Sequence, residues 1–261
     1  MDLHTVETWR DAEPGLVLAP GEAWLAGGTW LFSEPQPAVR GLVDLTALGW
    51  PAWETDASRL TIAATCTIAE LVERSERSDL PALAMVRPCA DSLVMSTKIQ
   101  AAATVGGNVC LALPAGAMTS LLAGLGATTV VLGRAGVRRE PVAGFVQGAR
   151  RTSLVAGEVV RGFEVDLEVL RRPAAFRRFA LTSLGRTGGI VVGRPTPGGI
   201  TVAVTGSTAR PWVLHLDSTD SRAIDAAVDT IVPWHDDPHG APDWREAQTR
   251  RCVHEVVEEL A

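Results

Sequence analysis

Two glycine pairs are the places in this 261-residue chain where residue type and spacing could do chemistry. The first is Ala26-Gly27-Gly28-Thr29, and the second is Thr104-Val105-Gly106-Gly107-Asn108. Each joins an apolar stretch to two glycines and then a small polar residue, so both read as turns of one kind. Glycine lacks a Cβ, which lets the backbone approach a ligand closely and adopt positive φ. Successive N–H groups in such a turn can point at one anion. Thr29 and Asn108 would add a hydroxyl and an amide donor. Two such turns brought together would suit a pyrophosphate, which has two phosphate groups to satisfy. Glycine pairs are also common punctuation between elements, so the residues alone leave a plain turn and an anion-binding turn both open. No Gly-Lys-Ser/Thr follows either pair, as a Walker A loop requires, and neither forms Gly-x-Gly-x-x-Gly.

The remaining chemistry-bearing residues read as structure. His235-Asp236-Asp237-Pro238-His239 could look like a metal cluster, but Pro238 prevents a helical i, i+4 pairing of the two histidines, and the segment reads as a solvated linker. Ser33, Ser183 and Ser207 lack the Gly-x-Ser-x-Gly setting of a nucleophile elbow. Cys66, Cys89, Cys110 and Cys252 show no metal-ligand spacing and read as reduced thiols. Cys110, two residues after Asn108, reads as a small buried core residue. A net charge of −6 without any Lys/Arg stripe interleaved with aromatics argues against a nucleic-acid partner. Arg150-Arg151 and Arg177-Arg178 read as salt-bridge partners or cofactor contacts. No apolar run approaches the roughly 18–20 residues that cross a bilayer. Met1-Asp2-Leu3-His4 has no basic stretch leading into an apolar core. A cytoplasmic protein without a membrane partner is expected.

Three regions must position the glycine pairs. In the first, to about residue 55, residues 23–26 and 42–45 read as short strands on either side of a Pro-rich turn at 33–37. In the second, from about 56 to 167, residues 60–63 read as a strand. A helix then starts at Thr67, with Glu70 at capping-box spacing. Residues 114–125 read as a buried helix start, 128–132 as a strand and 162–167 as a closing strand. In the third, from 168 on, residues 200–204 and 212–216 read as antiparallel neighbours. Ile224, Ala227, Val228 and Ile231 mark one helix, and Val253, Val256, Val257 and Leu260 another, with a linker between them holding Pro233, Pro238 and Pro242. Strands and helices mix without strict alternation, which predicts an α+β fold.

Leu25-Ala26-Gly27-Gly28-Thr29, followed by Ala103-Thr104-Val105-Gly106-Gly107-Asn108, resembles the paired signature of the FAD-binding medium subunits of molybdenum hydroxylases. These are the flavoproteins of the carbon monoxide dehydrogenase and xanthine dehydrogenase type, with a vanillyl-alcohol-oxidase-like flavin fold. The likeness runs over nearly the whole chain, through Asp44-Leu45, residues 60–64 with Thr67-Ile68, Ala143-Gly144-Phe145, residues 154–158, Ala209-Arg210-Pro211 and Trp244-Arg245.

The resemblance implies a two-lobed FAD-binding domain over residues 1–167, with lobes of about 1–55 and 56–167. A smaller domain of antiparallel sheet plus helices follows over 168–261. It implies that Leu25, Ala26, Gly27, Gly28, Thr29, Trp30 and Leu31, with Thr104, Val105, Gly106, Gly107 and Asn108, wrap the FAD pyrophosphate. Val160 would lie by the flavin ring, and Arg177 or Arg178 near its edge. No catalytic acid or base is required of this chain. Electrons would come from iron–sulfur clusters on a small subunit, after hydroxylation at a molybdenum cofactor on a large subunit, and leave FAD for an acceptor.

The chain departs from the family at three points. Ile99-Gln100-Ala101 replaces Ile-Arg-Asn, Ala117 replaces an Asp that helps hold the cofactor, and Trp30 replaces a small or acidic residue. One lost charge-assisted contact costs about 1.5–3 kcal/mol. Two further readings therefore stand beside the first: a structural subunit that keeps the fold but holds FAD weakly or not at all, and a stand-alone flavin oxidase.

Overall fold

The structure, a computed structural model, describes residues 4–15 and 17–261. The Met1-Asp2-Leu3 lead lies outside the described residues. The first region forms three short strands: β1 (Thr8–Asp11), β2 (Glu22–Leu25) and β3 (Gly41–Asp44). They pair parallel in the order β1-β3-β2. The central strand carries the burial, and Val43 packs with Ala12 and Leu45 against the partly buried Trp24, Ala26 and Trp50. β2 runs straight into the first glycine pair, as its sequence predicts.

The second region holds β4 (Trp53–Thr55), β5 (Arg59–Ala63), five helices, then β6 (Thr128–Gly133) and β7 (Gly136–Pro141). The helices are α1 (Ile68–Glu76), α2 (Val86–Ser92), α3 (Thr97–Ala102), α4 (Val105–Leu111) and α5 (Ala117–Gly124). After β7 come the short α6 (Val142–Phe145), a small hairpin of β8 (Val146–Gly148) and β9 (Arg151–Thr152), then β10 (Val159–Asp166) and α7 (Leu167–Leu170). All but the hairpin strands form one antiparallel sheet in the order β4-β5-β10-β6-β7. The predicted closing strand is thus the centre of the sheet. It also starts earlier than predicted, at Val159, and a register shift between Val160 and Gly162 breaks the alternation that would have revealed it. Thr67 caps α1 as its spacing predicts, its Oγ1 accepting from Glu70 N–H at 3.1 Å, while the Glu70 side chain accepts from Arg74.

The third region is a four-stranded antiparallel meander of β11 (Ala175–Ala180), β12 (Thr187–Thr196), β13 (Gly199–Thr205) and β14 (Trp212–Leu216), followed by α8 (Ser221–Val228) and α9 (Pro242–Leu260). Two helices sandwich this sheet. A Cβ on Gly124 of α5 would strike Val192, and one on Gly193 would strike Val256 of α9. Neighbouring residues of a strand face opposite ways. Accordingly Ile190, Val192 and Ala203 join the core of the second region, while Val191, Val202 and Val204 pack with α8 and α9. Among the described residues no helix is long and apolar enough to cross a membrane.

Candidate functional site

A cavity of about 490 Å³ opens between the turn after β2 and the segment leading into α4. Gly27 lets these two segments meet: a Cβ there would lie 1.9 Å from the Ala102 carbonyl oxygen, so only glycine permits the approach. Ala26, Gly27, Gly28, Thr29, Trp30 and Leu31 line one wall, Thr104, Gly106, Gly107 and Asn108 another, and Val160 of β10 the floor between them. Leu25 and Val105 are buried behind the lining. The wall also includes Trp24, Leu45, Met95, Ile99, Cys110 and Leu154, which the glycine motifs did not signal. Their common trait is apolar exposure into one space, a trait of the fold and not of local sequence.

Arg177 and Arg178 do not reach this lining. They alternate along β11. Arg177 faces α9 and pairs with Glu255 at 2.8 Å and Glu259 at 2.7 Å. Arg178 faces the other way, its Nε donating to Thr187 Oγ1 at 2.8 Å and its Nη2 to the Gly185 carbonyl.

The two glycine pairs are not turns of one kind. Thr104 is the N-cap of α4, and Gly106-Gly107 form that helix's first turn. The sequence suggested a turn because glycine is a poor helix former. Here the position demands it, since a Cβ on Gly106 would lie 2.5 Å from Ala64 Cβ. The amides of this segment are already engaged. Val105 N–H donates to Cys66 O at 2.9 Å and Gly106 N–H to Ala64 O at 2.9 Å. Gly107 N–H donates to Thr104 Oγ1 at 3.1 Å, and Asn108 N–H to Thr104 O at 3.0 Å. Asn108 Oδ1 accepts from Met118 N–H at 2.9 Å and so caps α5 from the neighbouring helix, which leaves the side-chain NH2 as the group Asn108 has to offer.

The first pair is a true turn. Gly28 has φ +67°, and the chain closes through Phe32 N–H to Gly28 O at 2.8 Å. Among the described residues, no acceptor meets the amide N–H groups of Gly27, Gly28, Thr29, Trp30 or Leu31. Five successive residues of the cavity wall therefore have backbone donors without a protein partner.

The lining is otherwise neutral: no Asp, Glu, Lys, Arg or His is part of it. Its one thiol, Cys110, is half-buried, and burial pushes its pKa up to about 12, so it stays protonated at neutral pH. Elsewhere, burial also raises the thiols of Cys66, to about 12, and Cys252, to about 11. Among the described residues no group of His, Cys, Asp and Glu is arranged to hold a metal ion. The 235–239 linker has a structural task instead, since Asp237 accepts from the buried Arg245 at 2.5 Å.

Residues 5–165, more than half of the chain, match the family described as the FAD binding domain in molybdopterin dehydrogenase. Among solved structures, carbon monoxide dehydrogenase from Hydrogenophaga pseudoflava, in a form lacking the Mo-pyranopterin moiety, is 20% identical with a TM-score of 0.79, over 97% of this chain and 96% of that one. Quinoline 2-oxidoreductase from Pseudomonas putida 86 is 21% identical with a TM-score of 0.74, over 92% and 89%. Reconstituted CO dehydrogenase from Oligotropha carboxidovorans is 22% identical with a TM-score of 0.76, over 91% and 89%. At such identities the likeness carries the fold. No curated protein sequence matches the chain.

Proposed function

Because the chain belongs to the family of FAD-binding domains found in molybdopterin dehydrogenases, we propose that it holds FAD in the cavity between its first turn and α4, as the electron-transfer subunit of a molybdenum-hydroxylase-type oxidoreductase. The observation that carries this reading is the row of five unpartnered amides at residues 27–31 on the wall of an apolar cavity. Donors that no protein acceptor takes are free for a ligand or water, and successive N–H groups on one turn make a concavity for an anion. The cavity's volume falls within the roughly 300–1,000 Å³ of small-molecule and cofactor sites, which are mostly apolar with a few placed polar groups.

On this reading the amides of Gly27 to Leu31, the Thr29 hydroxyl and the Asn108 NH2 hold the pyrophosphate. Trp24, Leu45, Val160 and their neighbours take the ring systems. Arg177, committed to Glu255 and Glu259, is left out. Residues 1–167 are the FAD-binding domain, and residues 168–261 form the C-terminal domain of the subunit. FAD supplies the redox chemistry, accepting electrons from an iron–sulfur small subunit that draws them from a molybdenum-cofactor large subunit. The chain's own task is to bind, orient and exclude water, since no side chain on the cavity wall ionises near neutral pH to serve as acid or base. That neutrality also counts against a stand-alone oxidase, which would need a base beside the ring.

One observation favours the structural-subunit reading: the amides of residues 105–108 are spent on the protein, and Ala117 stands where a carboxylate would help. A visible spectrum of the purified full chain, titrated with FAD, separates the two. A flavin spectrum that stays with the protein through gel filtration at about one per chain is expected. A colourless protein that leaves added FAD free would sink the proposal and favour the structural reading.

A further inference from the structure

A pyrophosphate diester carries two negative charges, and the cavity lining offers it no cation. Amide dipoles supply partial charge only. The cation that the structure attaches to this wall stands just outside it. Arg150, at the tip of the β8–β9 hairpin, lays its guanidinium over the ring of Trp30, 4.7 Å from the ring centroid. Trp30 belongs to the turn that carries the unpartnered amides and itself lines the cavity.

Three features of Arg150 bear on this position. It is exposed and, among the described residues, has no carboxylate partner, whereas Arg10, Arg138, Arg177 and Arg250 are each paired at 2.8 Å or less. It holds φ +57°, a left-handed conformation that a non-glycine residue adopts only at a cost. Its backbone is also anchored, because Arg150 N–H donates at 2.8 Å to the carbonyl of Ala112, the left-handed residue that ends α4. The hairpin tip is thus tied to the helix that carries Gly107 and Asn108, and its side chain reaches across to the opposite lobe.

We propose that Arg150 is a cofactor-binding residue, whose guanidinium, presented from the face of Trp30, supplies the counter-charge for the FAD pyrophosphate. The inference rests on the FAD reading and deepens it. The planar, permanently charged guanidinium suits both duties, because it stacks on an aromatic face and pairs with phosphate oxygens.

The test uses the purified full chain and three variants, Arg150→Ala, Arg150→Gly and Arg150→Lys. Binding of FAD and of riboflavin, which has the ring system but no phosphate, is followed by quenching of flavin and tryptophan fluorescence at low and at high salt. The glycine variant keeps the positive φ without strain, so it separates loss of the guanidinium from disturbance of the hairpin. Expected is a tenfold to hundredfold weakening of FAD binding in both Arg150→Ala and Arg150→Gly, the range for a lost charge-assisted contact. A shallower salt dependence than in the wild type should accompany it, with riboflavin binding unchanged. Arg150→Lys, which keeps the charge, should lose less. Unchanged FAD affinity in Arg150→Gly, or an equal loss for riboflavin and FAD, overturns the inference and leaves the FAD reading standing. A wild-type chain that binds neither flavin overturns both.

Discussion

Gly27→Ala tests whether the site depends on the close approach of the turn after β2 to the segment leading into α4. The added Cβ would lie 1.9 Å from the Ala102 carbonyl oxygen, 2.8 Å from its carbon and 3.1 Å from Ala103 Cα. Real Cβ contacts stop near 3 Å, so the two segments must part by about an ångström. The obstacle is backbone, which cannot swing aside as a side-chain end can. It is also held on both sides, with Ala103 N–H donating to Ile99 O at 2.7 Å and Ala103 O accepting from Ile68 N–H at 2.9 Å. The turn at 27–31 must therefore move. Overpacking of this kind costs about 1–3 kcal/mol of stability. An ångström added to hydrogen bonds of about 2.9 Å takes them beyond useful range, so FAD affinity should fall by roughly thirtyfold, the equivalent of about 2 kcal/mol. Urea unfolding midpoints and an FAD titration read the two effects separately. Gly144→Ala is the control: an added Cβ meets nothing within 4 Å, so FAD binding should be unchanged and stability the same or up to about 1 kcal/mol higher. A Gly27→Ala chain with the wild-type midpoint and wild-type FAD affinity would refute the claim that this contact builds the cavity.

Two further outcomes follow from polar groups away from the cavity. Arg245 is 1% exposed and donates to the carbonyls of Gly188, Gly206 and Gly240 as well as to Asp237. Arg245→Met should destabilise the chain by about 3–5 kcal/mol in urea unfolding, because it removes the donor that three carbonyls and the partly buried Asp237 share, and a loss below 1 kcal/mol would show that water already reaches them. Glu22 accepts from Arg10 at 2.6 and 2.7 Å and from Ala19 N–H at 2.7 Å, and these bonds lower its pKa from 4.5 to about 2. The unfolded chain then binds more protons between those values, so Glu22 contributes stability above about pH 4.5 that is lost as pH falls towards 2. Glu22→Gln should flatten that part of the acid limb, and an acid limb identical to the wild type's would show that other carboxylates set it.

Elements with a one-sided apolar pattern were legible, and those whose burial falls on glycine, proline or polar residues were not. β13, β14, β5 and the start of α1 stand where alternation and capping put them. β12 escaped because it opens Thr187-Gly188-Gly189, which reads as a turn, although Gly189 is small to admit the Phe179 ring and the Ser207 hydroxyl. α2 carries Pro88 in its first turn, a position where proline is tolerated but reads as a breaker. α3 buries only Gln100 and so has no apolar stripe. The apolar periodicity of α9 was visible only from Val253 on, although the resemblance placed the opening of that helix at Trp244-Arg245. Its inward face continues back through Cys252 and Thr249 to Arg245, at helical spacing, but the last two are polar because they bond to loop carbonyls and to Ser207.

The site itself shows how one local pattern can serve two physical ends. Ala-Gly-Gly-Thr and Val-Gly-Gly-Asn look alike, and the residues of these two segments do gather, with Val160, around one cavity, Leu25 and Val105 lying behind the wall, whereas Arg177 and Arg178 stand away from it. Glycine at 27 and 106 answers a packing demand, from Ala102 and Ala64 respectively, and neither demand is written near the pair it acts on. What separates the pairs is where their amides go. The second pair sits in a helix whose cap and neighbours consume its donors, while the first bends through Gly28 and leaves five free. A sequence lists donors but not which acceptors they meet, so the difference between the two pairs lies in tertiary structure. Tertiary structure also decides where Arg150 stands: it meets Trp30 only because a hairpin 120 residues further along the chain folds back onto that turn.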